Sequence, residues 1–282
     1  MHIAELRFLA VEDHEFQRGV LLRILAGLGA TRVEVAADGR EALGIVMAPD
    51  TPIDIIISDL DMPGMDGMEF MRRLGKAGIP VAIILASGLD GLLLDSAERI
   101  TRECGVRILG VIAKPITPAK LDVLIRNHTL VLSSLARRKA IAPSLTLASM
   151  AKALRKQLDR FLQLARPAAP IDRSVLAGVT CGDVAVEREI LSEFRRVNND
   201  DSAMLRLAVE RRDIAQVTSA SERIKGACRT VGATALTAVC ERLERAGDVG
   251  DWKAIEANMA AFRRELERLN SYCAATESPA LR

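Results

Sequence analysis

Aromatic side chains make up only 3% of the 282 residues, with one tryptophan and one tyrosine. A chain so poor in rings yet 49% apolar is Leu/Ala-rich, and helices are expected to outnumber strands. Cysteine is also sparse. Cys104, Cys181, Cys228, Cys240 and Cys273 are odd in number and lack C-x-x-C spacing, which excludes a disulfide framework and a zinc site and leaves buried thiols. Long uncharged runs are missing: the two longest, Ala77 to Leu89 and Ala140 to Ala151, span 13 and 12 residues, and each contains a proline. A bilayer span needs about 20 apolar residues, so no membrane helix is expected. Glu5 and Arg7 interrupt the apolar start MHIAELRFLAVED, which argues against a secretory signal and for a cytoplasmic location. Histidine occurs three times, at His2, His14 and His128.

Charge is distributed unevenly. Residues 1–126 hold 14 Lys/Arg against 18 Asp/Glu, residues 127–169 hold 8 against 1, and residues 170–282 hold 17 against 18. The positive excess sits in the middle, as in a basic connector between two mildly acidic domains. Its residues Arg137, Arg138, Lys139, Lys152, Arg155, Lys156 and Arg160 raise the alternative of a DNA-binding regulator. No aromatic interleaving and no helix-turn-helix pattern accompany them, so a nucleic-acid partner is not expected.

The length suits about two domains. Over residues 1–126 apolar runs of strand length alternate with helix-period stretches: Leu6 to Val11, Arg32 to Ala36, Ile53 to Ser58, Val81 to Ala86 and Arg107 to Ala113. Near-continuous Ile/Val/Leu runs mark strands covered on both faces, and the pattern predicts an α/β doubly wound (βα)5 parallel sheet. Residues 127–169 read as a helical linker. Leu121, Ile125, His128, Leu132 and Leu135, then Leu147 through Ala165, step by 3 and 4 in heptad-like seams that suit a homodimer or an intramolecular hairpin. Residues 170–282 predict an all-α bundle. Asp172 is placed to cap a short helix, followed by longer helices over Val184 to Arg211, Asp213 to Val231, Ala233 to Ala246 and Asp251 to Cys273.

In open α/β sheets ligands bind at the carboxyl ends of the strands. Those ends carry Glu12 and Asp13, Asp59, Ser87 and Lys114. Three converging carboxylates repel one another unless a cation compensates, which predicts a hard oxygen-ligand site suited to Mg2+. Ser87 offers a hydroxyl and Lys114 a point charge for a phosphoryl group, and Asp59 is then a nucleophile able to form an acyl phosphate. These residues, with I-I-S-D-L-D-M-P-G-M-D-G at 56–67 and A-K-P at 113–115, closely resemble the receiver domain of bacterial response regulators, over residues 5 to about 126. The resemblance implies that Asp59 accepts phosphate from a histidine kinase. It further implies that Glu12, Asp13, Asp59 and the backbone carbonyl of Asp61 hold Mg2+, that Ser87 and Lys114 read the phosphorylated state, and that Lys114-Pro115 is a cis peptide. Any enzymatic activity would then be limited to self-phosphorylation and dephosphorylation at that aspartate. The family commonly has an aromatic switch residue three positions before the lysine, where this chain has Val111. His14 reads as a loop or helix-start residue.

In the C-terminal stretch, the helix Asp213 to Val231 buries one stripe and turns Glu222, Lys225, Gly226 and Arg229 the other way. A mid-helix glycine costs about 1 kcal/mol relative to alanine, so Gly226 suggests that something approaches the backbone closely. The segment S-E-R-I-K-G-A-C-R-T-V-G-A at 221–233 resembles the histidine phosphotransfer (HPt) domain, the likeness extending over residues 171–273. Where that family's motif H-x-L-K-G has its phosphoaccepting histidine, this chain has Glu222. An inactive bundle that signals by protein binding is expected, with Glu222, Lys225, Gly226 and Arg229 as an exposed docking face for a kinase or another receiver-domain protein. An active phosphorelay intermediate is the alternative.

Overall fold

The computed structural model describes residues 2–48, 52–65, 67–87, 105–136 and 169–277. Five strands, β1 (Arg7–Val11), β2 (Arg32–Ala36), β3 (Ile55–Asp59), β4 (Ala82–Ser87) and β5 (Arg107–Ala113), form one parallel sheet in the order β2-β1-β3-β4-β5. Every residue of β3 and β4 is buried, as the uninterrupted Ile runs require. Helices α1 (Glu15–Gly27), α2 (Gly39–Met47), α3 (Gly67–Ala77) and α4 (Pro118–Ala136) complete the domain among the described residues. The doubly wound expectation is met, with strand limits within two residues of those read from the pattern.

Alternate residues of each strand feed different layers. Leu9, Val11, Ile56 and Ile83 pack with Ala42, Phe70, Met71 and Leu74 on one face. Phe8, Ala10, Ile55, Ile57 and Ile84 pack on the other with Phe16, Val20, Leu21 and Ile24 of α1 and Leu121 and Ile125 of α4. Helix α4 runs without a break across residue 126. Leu121, Ile125 and His128 are buried within the chain, so this part of the first seam is not free to pair with a second subunit. The side chains of Leu132 and Leu135 and the whole of the seam from Leu147 to Ala165 lie outside the described residues.

The C-terminal region is helical throughout: α5 (Arg173–Thr180), α6 (Val184–Glu210), α7 (Ile214–Val231), α8 (Thr234–Asp248) and α9 (Trp252–Glu277). Aspartates start four of these helices, with Asp251 accepting from the Ala254 amide ahead of α9. Asp172 accepts from the Ser174 amide, Asp183 from those of Ala185 and Val186, and Asp213 from that of Gln216, each satisfying amides the first turn cannot. Gly232, in the left-handed region at φ 78°, closes α7. Helices α6 to α9 form a bundle in which α9 buries Ile255, Met259, Phe262, Leu266, Leu269 and Cys273, with Trp252 half-buried at its start. The bundle is not a separate body. Its core and the α1 side of the sheet make one continuous apolar cluster, and α1 packs against both α6 and α7.

Candidate functional site

Strand order reverses between β1 and β3, and the acidic residues gather at that point. Carboxylate oxygens of Glu12, Asp13 and Asp59 lie within 4.8 Å of one another. Lys114, at the end of β5, puts its Nζ 2.8 Å from Glu12 Oε2 and 2.5 Å from Asp59 Oδ2. Burial alone would lower the lysine's pKa, but the two carboxylates outweigh it and hold the ammonium charged well above its usual range. Glu12 is pushed up to about 7, first by burial and then by Asp59, against the pull of Lys114. Asp13 is raised by burial and by Asp59. One ammonium against three carboxylates leaves the cluster short of positive charge, and this all-oxygen donor set fits a hard divalent cation such as Mg2+.

The local chain explains the precision. Asp59 ends β3 and is 5% exposed, and its Oδ1 accepts from the Asp61 amide at 3.2 Å. Gly67 lets α3 begin against this loop, since a Cβ there would lie 2.6 Å from the Asp59 carbonyl oxygen. Ser87, buried at the end of β4, accepts from the Lys114 amide on its carbonyl at 2.9 Å, which ties the two strand ends together. Lys114-Pro115 is cis, as expected. Val111 pairs with Leu85 in the sheet and packs on the α2–α3 side.

The opposite wall of the site comes from the bundle. A cleft of about 790 Å³ is lined by Asp13, Asp59, Asp61 and Lys114 on one side and by Glu222, Arg223, Lys225, Gly226 and Arg229 of α7 on the other. The expected docking face is therefore turned toward the chain's own receiver, not toward an outside protein. Lys225 is paired within the bundle: its Nζ bonds both carboxylate oxygens of Glu244 on α8, at 2.6 and 2.7 Å. Arg229 pairs with Glu241 at 3.0 Å. Glu222 keeps access to solvent at the rim, yet partial burial raises its pKa against Lys225, with Glu244, Asp61 and Asp13 adding to the rise.

Several contacts that join the domains escape sequence reasoning. His14 stands just before α1, is 1% exposed, and places Nε2 3.1 Å from Asp201 Oδ2 on α6. Arg223 of α7 grips the other oxygen of Asp201 at 3.0 and 3.1 Å. Burial opposes ionisation of Asp201, but the His14 hydrogen bond and the Arg223 charge win and hold it below the usual aspartate range. Phe16 and Phe194 meet edge to face at 5.5 Å. Arg23 pairs with Glu193 and Arg196 with Glu15, both at 2.6 Å. A Cβ on Gly226 would lie 2.5 Å from Nε2 of Gln17, so the body that approaches this helix so closely is α1. Of these features only the misplaced glycine carries a signal in the sequence.

Fold and site together define a receiver-type α/β domain whose acidic centre faces a helical bundle. Residues 8–126 match the response regulator receiver domain family, and residues 189–272 match the Hpt domain family. The chain thus carries a receiver domain followed by an Hpt domain, an architecture of two-component phosphorelays. Among curated proteins it is 30% identical over 150 residues to the cyclic di-GMP phosphodiesterase RocR of Pseudomonas aeruginosa, covering 53% of this chain and 38% of that protein. It is 29% identical over 245 residues to the virulence sensor protein BvgS of Bordetella bronchiseptica, covering 85% of this chain and 18% of that protein. The chain thus spans well under half the length of these relatives. Among solved structures, Vibrio cholerae chemotaxis protein CheY4 is 27% identical at a TM-score of 0.38, covering 43% of this chain and 97% of that one. Among the described residues no helix is long and apolar enough to cross a membrane.

Proposed function

We propose that this chain is a cytoplasmic response regulator whose receiver is phosphorylated on Asp59 by a histidine kinase and whose Hpt-type bundle works by binding, without taking the phosphoryl group itself. Two observations support this reading together. The receiver has an acidic centre with Lys114 at hand, while residues 129–282 contain no histidine and, by the resemblance to H-x-L-K-G, Glu222 falls where the acceptor would stand. In the transfer, an Asp59 carboxylate oxygen attacks the donor's phosphorus. The P–N bond of the phosphohistidine breaks, and the electron pair stays on the imidazole nitrogen, which then takes up a proton. Glu12, Asp13, Asp59 and the Asp61 carbonyl would hold Mg2+, which when bound neutralises charge on the phosphoryl oxygens. Lys114 supplies a second positive charge, and Ser87 a hydroxyl donor at the end of β4. The DNA-binding alternative is not favoured, because both matched families are phosphorelay domains.

Acetyl phosphate and Mg2+ test the assignment. The full chain should take up one phosphoryl group, only with Mg2+, and the Asp59→Asn variant none. Stoichiometric labelling of that variant would refute the assignment of the acceptor.

A further inference from the structure

The bundle sits where an incoming protein phosphodonor must come. Asp59 lies at the bottom of the cleft, and α7 forms the facing wall with Glu222 and Lys225 one turn or less from Gly226. The bundle is held there by an aromatic anchor, Phe194 on Phe16, with the buried His14–Asp201–Arg223 group beside it and the Arg23–Glu193 and Arg196–Glu15 pairs at the rim. Apolar anchors surrounded by charge pairs are the general pattern of specific protein docking surfaces. Phosphoryl transfer needs the reacting atoms within about 3 to 3.5 Å. A donor of a few atoms enters a cleft of about 790 Å³, but a phosphohistidine carried on a protein helix meets α7 in the same place.

We propose that α1 and the mouth of the Asp59 cleft form one docking surface, for which the chain's own bundle competes with a helical protein phosphodonor. Small phosphodonors reach Asp59 beneath the docked bundle, whereas a protein donor must first displace it. With Glu222 in place of an acceptor, the docked bundle neither gives nor takes a phosphoryl group and acts as a cover. The inference rests on the reading of Asp59 as the phosphoacceptor.

The test compares two kinds of donor on the full chain: acetyl phosphate with Mg2+, and a panel of autophosphorylated kinase transmitter domains. Two variants open the interface. Gly226→Arg places bulk where the three nearest atoms all belong to Gln17, so the collision is with the receiver and not within the bundle. The pair Glu193→Arg and Arg196→Glu reverses both rim contacts from the bundle side; adding Arg23→Glu and Glu15→Arg restores them in swapped form, and the fourfold variant is compared with the α1 pair Arg23→Glu and Glu15→Arg alone, which carries the same change to the donor's surface without the restored contacts. Acetyl phosphate should label the wild type, the charge-reversed pair and the fourfold variant at the same rate; Gly226→Arg adds a charge to the cleft wall, so its protein-donor rate is read against its own acetyl phosphate rate. Protein-donor transfer should rise roughly 5- to 150-fold in the opened variants, the usual range of coupling between two binding events, and fall back in the fourfold variant. Equal protein-donor rates in wild-type and opened chains overturn the competition. So does an acetyl phosphate rate that rises in parallel, a rise that the fourfold variant does not reverse, or an opened chain that acetyl phosphate labels and no protein donor does. If acetyl phosphate labels Asp59 in none of the chains, the phosphoacceptor reading fails instead.

Discussion

The receiver and the bundle handle their charges in opposite ways. At the receiver's centre three carboxylates share Lys114, and burial adds to the imbalance by raising Glu12 and Asp13. Across the cleft each of three bundle cations has a carboxylate of its own: Arg223 has Asp201, Lys225 has Glu244 and Arg229 has Glu241. A cluster left short of positive charge is poised to bind a cation and do chemistry. Paired charges are spent on structure. The difference teaches that two faces of one cleft, both rich in ionisable groups, need not share a role.

The sharpest way to break this contrast is to give the bundle an acceptor. Glu222→His places an imidazole on the wall facing Asp59, and acid-labile phosphate should then appear on the bundle after receiver phosphorylation, where the wild type shows none. Peptide mapping under alkaline conditions checks it. The next largest effects are on stability. Phe194→Ala and Phe70→Ala each remove a fully buried ring and should cost about 3 to 5 kcal/mol. Phe194 belongs to the cluster that joins the domains and Phe70 to the far face of the sheet. Hydrogen exchange should therefore show loosening of α1 and the bundle together in the first variant, and of α2 and α3 in the second.

Asp201→Asn should cost about 1 to 3 kcal/mol near neutral pH, because it weakens hydrogen bonds to a charged group in a buried network. The pH dependence has a definite sign. Asp201 is lowered from the ordinary aspartate value of 3.8, so its contribution is fully present above that value and is lost as pH falls through its lower folded value. Denaturant titrations of wild type and variant should converge in that acid window. The smallest effect concerns thiols: Cys181 is exposed, while burial raises the Cys228 and Cys240 thiols and Cys273 is buried. Maleimide should label Cys181 in the native protein and leave those three untouched until unfolding.

The receiver was legible because its chemistry is local to strand ends. Alternating apolar runs set β1 to β5, and the residues that follow them, Glu12, Asp13, Asp59, Ser87 and Lys114, are brought to one edge by the topology alone. The bundle's helices were equally plain from their spacing, and the first of them from its capping Asp172. What sequence periodicity does not carry is which surface meets which. His14 looks like an ordinary residue at a helix start, and its partner Asp201 is 187 positions away. Leu121 and Ile125 step like a dimer seam, yet the same spacing serves equally well for packing on the chain's own sheet, and there they lie. Gly226 was the single hint of the interface. It told of a close approach, and only the fold shows that the approaching element is α1.

That the bundle is held on α1 of its own receiver is the central claim, and a crosslink tests it directly. Gln17→Cys and Gly226→Cys, in a chain with Cys104→Ser and Cys181→Ser, place two thiols where the Gln17 amide of α1 reaches Gly226 of α7. Treated in dilute solution with a short bismaleimide, this chain should yield an intramolecularly linked monomer, seen as a proteolysis-resistant join between a peptide of α1 and a peptide of α7. If both thiols react singly with maleimide but no α1–α7 join forms, the bundle does not dock on its own receiver, and the account is contradicted.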